Sequence, residues 1–183
     1  MFKTFLIAEL RYTLKQPIVY VFFIVFTILE FFATVSDRVQ IGATVGNFNQ
    51  NSPFTLSQHV LTLCLLSLVM AVTFFNNAAL RDFKYKFNEI MFSSPLQRHG
   101  YFFGRFFGAL VIATLPLLGV FAGLILGTYL NSIFNWLDPN RFGPLTIEMF
   151  VNNYLVFILP NMFFAGSVIY ALATKWKSTM ISF

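Results

Sequence analysis

Residues Leu56 to Leu80 read LSQHVLTLCLLSLVMAVTFFNNAAL, twenty-five consecutive positions without Asp, Glu, Lys or Arg. About twenty apolar residues cover a bilayer core as an α-helix, so this run predicts a membrane span. It ends on charge, at Arg81-Asp82-Phe83-Lys84. Working outward, three more segments have the same character: Pro17 to Val35, interrupted only by Glu30; Phe102 to Leu130, with Arg105 near its start; and Met149 to Thr174, with no ionisable group except tyrosine. The expected fold is all-α: a polytopic helical membrane protein with at least four transmembrane helices.

Composition agrees. The chain is 57% hydrophobic and 10% charged, with a mean hydropathy of +0.73, which leaves too few polar side chains to cover a water-soluble globule of 183 residues. The 26 phenylalanines suit a lipid-facing surface as well as a core. Cys64 is the one cysteine, which excludes a disulfide framework and a thiolate metal site. The apolar run after Met1-Phe2-Lys3 lacks a small-residue cleavage site, so no removable signal peptide is expected.

The net charge of +5 does not mark a nucleic-acid binder, because the basic residues are sorted by side. Lys3, Arg11, Lys15, Arg81, Lys84, Lys86, Arg98, Arg105, Lys175 and Lys177 fall on one side of the predicted membrane, against Arg38 and Arg141 on the other. Short loops rich in Lys and Arg stay cytoplasmic. The N-terminus, the loop between the second and third spans and the tail after the fourth are thus expected inside, and Ser36 to Thr55 and Asn131 to Glu148 outside. Tyr20, Tyr129, Trp136, Tyr154 and Trp176 then fall near the water boundaries, where amphipathic rings prefer to sit. Ser178 to Phe183 restarts an apolar run and stops, so residues 1–183 read as a transmembrane domain fragment with a fifth span cut off.

Residues 1–16 place Phe2, Leu6, Leu10 and Leu14 four apart with Ile7 beside them, and Thr4, Ala8, Arg11 and Lys15 on the other side. This predicts an amphipathic helix lying in the membrane interface before Pro17 turns the chain inward. Lys3 and Glu9 flank its apolar stripe.

The loop from Arg81 to Tyr101 is long and dense in both charge signs. Tyr85 to Phe92 alternates well enough for a short surface helix, closed by Ser94-Pro95. Glu89, Pro95 six positions later, and Gly104-Arg105 nine and ten beyond the proline resemble the signature of type-2, export-type ATP-binding-cassette permeases. In that family a Glu, a Ser/Thr-Pro pair and a Gly-Lys/Arg pair are similarly spaced between the second and third spans. The amphipathic N-terminal helix resembles the family's elbow helix. One departure is Phe87-Asn88, where many relatives carry Gly-Thr before the Glu. The chain is also similar to bacterial permeases fused downstream to a zinc aminopeptidase-like domain.

The resemblance implies a coupling helix that docks on a separate cytoplasmic ATPase. Glu89, Ser93, Ser94, Pro95 and Leu96 would lie in or beside that contact, with Arg98 closing the docking loop and Arg81 and Asp82 where the chain enters the membrane. It further implies a homodimer or heterodimer of permeases in the bacterial inner membrane, surrounded by lipid, with ATP and magnesium on the partner ATPase and no cofactor in this chain. A membrane anchor for a downstream metallopeptidase and a non-transporting scaffold are the rival functions.

Gly100, Gly104 and Gly108 repeat every four residues, as do Gly119, Gly123 and Gly127. Such spacing gives a smooth face that another backbone can approach closely, so the third span is expected inside the bundle or at a dimer seam. Pro116 and Pro160 are expected to bend the third and fourth spans. Glu30, about seven residues from Asp37, is expected near the outer boundary, reaching head groups, with a substrate- or proton-linked role as the alternative. Asn76, Asn77, Asn152, Asn153 and Asn161 are candidates for bonds across helices. The chain has no glycine-rich phosphate loop, no His-Glu-x-x-His and no Gly-x-Ser-x-Gly elbow, so no catalytic residue is assigned. His59 and His99 are expected on opposite sides, which leaves no zinc site.

Overall fold

The computed structural model describes residues 1–36, 38–42, 49–85 and 98–176, with Arg98 described by its backbone alone. The protein is all-helical among these residues. Helix α1 (Phe2–Thr13) is followed by α2 (Pro17–Val35), α3 (Pro53–Lys84), α4 (Arg98–Thr114) and α5 (Leu118–Phe134); a 3-10 turn (Pro139–Arg141), α6 (Ile147–Asn153), a π-helical turn (Tyr154–Ile158) and α7 (Leu159–Trp176) complete it. Four segments are long and apolar enough to cross a bilayer: Pro17–Val35, Pro53–Lys84, His99–Phe134 and Ile147–Trp176. The chain is a multi-pass helical membrane protein. The fifth span expected to start at Ser178 lies outside the described residues.

Local sequence sets the ends. The Ser52 hydroxyl accepts the Thr55 N–H at 3.2 Å and Pro53 occupies the first turn of α3, where its missing N–H costs nothing. Arg81 and Lys84 close the same helix, cations against its negative end. Asn135, in the left-handed region at φ 49°, ends α5.

Proline interrupts the regular hydrogen bonding of the third and fourth spans in different ways. Residues 115–117 separate α4 from α5. Pro116 has no N–H to donate, and the chain restarts through tight bonds from the N–H groups of Leu118, Gly119 and Val120 to the carbonyls of Leu115, Pro116 and Leu117. In the fourth segment the π turn Tyr154–Ile158 ends two residues before Pro160. In a regular helix the Pro160 ring would meet the Val156 carbonyl, and a wider turn there relieves that clash. The loop of the second and third spans also contracts, because α3 runs on through Lys84 and α4 begins at Arg98. Arg81 and Asp82 are therefore helical, and so are Gly100 and Tyr101.

The chain divides into two compact units, one drawn from Met1–Val19, Leu68–Ala113 and Met162–Phe183, the other from Tyr20–Ser67 and Thr114–Asn161. In the first, α1 lies against α4. A Cβ on Gly104 would come 2.8 Å from the Phe5 Cβ and 2.9 Å from the Phe2 carbonyl oxygen, and one on Gly108 would come 2.8 Å from the Glu9 Cβ. Phe106 forms the centre of an aromatic cluster, 5.6 Å between ring centres from each of Phe75, Phe163 and Tyr170. Gly166 on α7 leaves the space that the Phe75 ring fills.

Helix α1 packs on the rest of its unit by a polar face. Glu9 and Thr13 are its buried residues, while Ile7 and Leu14 are exposed. The packed face runs through Phe5, Glu9 and Thr13, and Glu9 stands at its centre instead of beside an apolar stripe.

In the second unit α5 packs on α2 through glycine. A Cβ on Gly119 would lie 2.5 Å from the Phe23 carbonyl oxygen, one on Gly123 2.5 Å from that of Thr27, and one on Gly127 2.8 Å from the Thr34 Cβ. The loops are joined by a reciprocal amide pair: the Asn51 side chain donates to the Gly143 carbonyl and accepts the Gly143 N–H, each at 2.7 Å. The segment His99–Phe134, which carries both glycine repeats, is 67% buried over its most apolar window, against 28% for the first and fourth segments.

Because the atoms facing Gly119 and Gly123 are backbone, they cannot rotate away. Gly123→Ala is expected to destabilise the protein by about 1–3 kcal/mol, read as a lower midpoint of unfolding in detergent, whereas Leu126→Ala on the exposed face of the same helix leaves the midpoint nearly unchanged.

Candidate functional site

Arg81 and Asp82 are neighbours on α3, so their side chains leave the helix about 100° apart. Arg81 turns to α1. Its two terminal nitrogens reach the two Glu9 carboxylate oxygens at 3.2 and 2.7 Å, the planar fork that suits Arg to a carboxylate. The Thr13 hydroxyl donates to Glu9 Oε1 at 3.3 Å, and the Arg81 guanidinium lies 3.9 Å from the centre of the Tyr12 ring.

Asp82 turns to α4. Its Oδ1 accepts from Arg105 at 2.7 Å and its Oδ2 accepts the Tyr101 hydroxyl at 2.7 Å. Arg105 donates in addition to the Ala78 carbonyl at 2.9 Å and lies 5.0 Å from the Tyr101 ring centre. Glu9, Asp82 and Arg105 are all buried. Two carboxylates facing two guanidiniums sum to zero, and each carboxylate oxygen has a donor, which is the condition under which buried charge is tolerated.

This hub ties the N-terminal helix to α3 and α3 to α4. Its capacity is mechanical: Asp82 and Arg105 fix the outgoing and returning helices of the 85–97 connection to one another, and Arg81 fixes both to α1. Among the described residues no three His, Cys, Asp or Glu side chains come together as a metal site.

Of the residues expected in the connecting loop, Arg81 and Asp82 are in the hub. Glu89, Ser93, Ser94, Pro95 and Leu96 lie outside the described residues, as does the side chain of Arg98 and the surface helix expected from Tyr85 to Phe92. Gly104 and Gly108 face α1, and Gly119, Gly123 and Gly127 face α2; Gly100 is in the first turn of α4. Glu9, Tyr101 and Arg105 were not singled out as hub members. The available signal was Glu9 itself, spaced by four from Phe5 and Thr13, an acid in the middle of a stripe. Asn76 has both side-chain polar atoms buried without a partner, and Asn153 bonds the Met149 carbonyl of its own helix at 2.8 Å, so neither bridges helices among the described residues.

Glu30 also departs from expectation. Instead of reaching head groups it is fully buried, with His59 beside it. Comparison with protein families, with curated proteins and with solved structures finds no match for this chain.

Removing one partner of a buried pair strands the other charge. Arg81→Ala is expected to cost about 3–5 kcal/mol, and Glu9→Leu combined with Arg81→Met to cost clearly less. Denaturation of the two variants in matched detergent checks the order, and equal losses would contradict the pairing.

Proposed function

We propose that the chain is a membrane-spanning permease subunit of an ATP-binding-cassette exporter. The observation that supports this reading is the neutral ion-pair hub at the two helix ends from which the 85–97 connection springs. In the proposed machine a separate ATPase, holding ATP and magnesium, docks on that connection from the cytoplasm. Glu89, Ser93, Ser94, Pro95 and Leu96 contribute to the contact, and Arg98 closes it. Closure of the ATPases pushes on the loop. Since α3 and α4 are clamped by Asp82 and Arg105, the push cannot slide one past the other; it moves both, together with α1, through Arg81 and Glu9.

The machine holds two permeases, identical or homologous, in a bacterial inner membrane with the N-terminus inside. The N-terminal helix lies in the lipid interface. Cyclic movement of the helices then exposes a pathway alternately to the two sides, or squeezes a lipid-like cargo outward.

Co-purification and ATPase assays in liposomes with the cognate ATPase test this. The variant Glu89→Arg with Pro95→Ala is expected to lose association. Arg105→Lys retains the charge but loses the paired bonds to the Ala78 carbonyl and Asp82, and is expected to bind the ATPase while stimulation falls several-fold, in the range of coupling changes of about 0.5–2 kcal/mol. Association unchanged in the loop variant would overturn the assignment.

A further inference from the structure

Glu30 and His59 sit at matching depth. Glu30 is five residues before the end of α2 at Val35, and His59 six residues after the start of α3 at Pro53. At 1.5 Å per residue each lies about 8–9 Å in from its helix end. Oε1 of Glu30 and Nδ1 of His59 are 2.9 Å apart, and the side chains are 0% and 4% exposed. Oε2 of Glu30 is buried without a hydrogen-bond partner among the described residues.

Among the described residues of α2, α3 and α5 around the pair, none supplies a compensating charge. On α2, Thr27 and Thr34 commit their hydroxyls to the carbonyls of Phe23 and Glu30 in their own helix. From α5, Gly123 comes so close that a Cβ would be 2.8 Å from the Glu30 Cβ, and that helix carries no Asp, Glu, Lys, Arg or His. Its one tyrosine, Tyr129, is 65% exposed. On α3 within the same unit the remaining ionisable side chain is Cys64.

A net charge in such surroundings costs several kcal/mol. A carboxyl and an imidazole that share one proton are neutral wherever that proton sits. Emptied, the pair carries a negative charge; doubly loaded, a positive one. The unmatched Oε2 adds a preference, because a carbonyl oxygen without a donor is less costly than a carboxylate oxygen without one.

We propose that Glu30 and His59 form a proton-binding site in the membrane-spanning region, holding a single proton between Oε1 and Nδ1. The pair does not make a metal site, since two ligands are too few and no third His, Cys, Asp or Glu joins them among the described residues. A proton is also the one ligand that needs no cavity. Parting α2 from α3 would hydrate both groups and remove the penalty that fixes the count, so the proton is what a change in that contact releases. The proposal requires only these two helices and does not rest on the permease reading.

The test uses the full chain in phosphatidylcholine liposomes with nitrogen-15 histidine. His99→Gln leaves His59 as the sole histidine, the chain having two. Nitrogen NMR reads whether the ring carries one proton or two, and the infrared carboxylic-acid band, assigned by its loss in Glu30→Gln, reads the carboxyl. At neutral pH an acid band with a singly protonated ring is expected; no acid band with a doubly protonated ring gives the same count and also supports the site. A singly protonated ring without the band, or a doubly protonated ring with it, overturns the proposal. Should Glu30→Gln fail to insert, Glu30→Asp retains a carboxyl and shifts the band, which preserves the assignment.

Discussion

A carboxylate carried into a bundle that faces lipid has only the chain itself to satisfy it, because water is not at hand and an unpaired ion there is costly. In this protein that constraint converges on one helix. Arg81 and Asp82 near the end of α3, and His59 near its start, each meet an ionisable partner on a different helix: Glu9 on α1, Arg105 on α4 and Glu30 on α2. A rotation of α3 by one residue position, about 100°, would unpair Arg81 and Asp82 together. Apolar side chains would tolerate that rotation far better, since lipid tails are as apolar as the helices they would contact. The ion pairs therefore specify register, whereas the surrounding Phe, Leu and Ile supply contact without much preference among registers.

Close approach is a separate device, and it falls to the glycines. Gly104 and Gly108 admit α1 to α4, and Gly119 and Gly123 admit the α2 backbone to α5. Without a hydrophobic drive between helices, dispersion at such short range is what lipid-embedded packing has to use. Gly166 works differently, since the space it leaves is filled by the Phe75 ring and not by a backbone. The prolines act at the joins. The two compact units divide the chain after Val19, after Ala113 and after Asn161, close to Pro17, Pro116 and Pro160 respectively. At each join the regular helical hydrogen bonding is interrupted nearby. The fourth crossing, at Ser67 and Leu68, lies within the unbroken 32-residue α3.

The spans were legible because an apolar run of about twenty residues needs no tertiary information to be read, and the positions of Pro116, Pro160 and the glycine repeats were legible for the same reason: each acts on its own backbone. What single-segment reading missed is what depends on two segments at once. Glu9 beside an apolar stripe reads as a residue pointing to water unless its partner is known, and that partner lies 72 positions away. Once Arg81 is placed opposite, the same carboxylate belongs in the packed face, and Ile7 is left on the exposed one. Glu30 failed the same way. Taken alone, an acid about one and a half turns from the end of a span reads as reaching for head groups. Taken with a histidine about two turns into the next span, it has a partner at equal depth, a match that depends on counting from both ends of the turn. In a chain this poor in charge, each ionisable residue inside a span carries more information about helix arrangement than any apolar neighbour, because its alternatives are so much more costly.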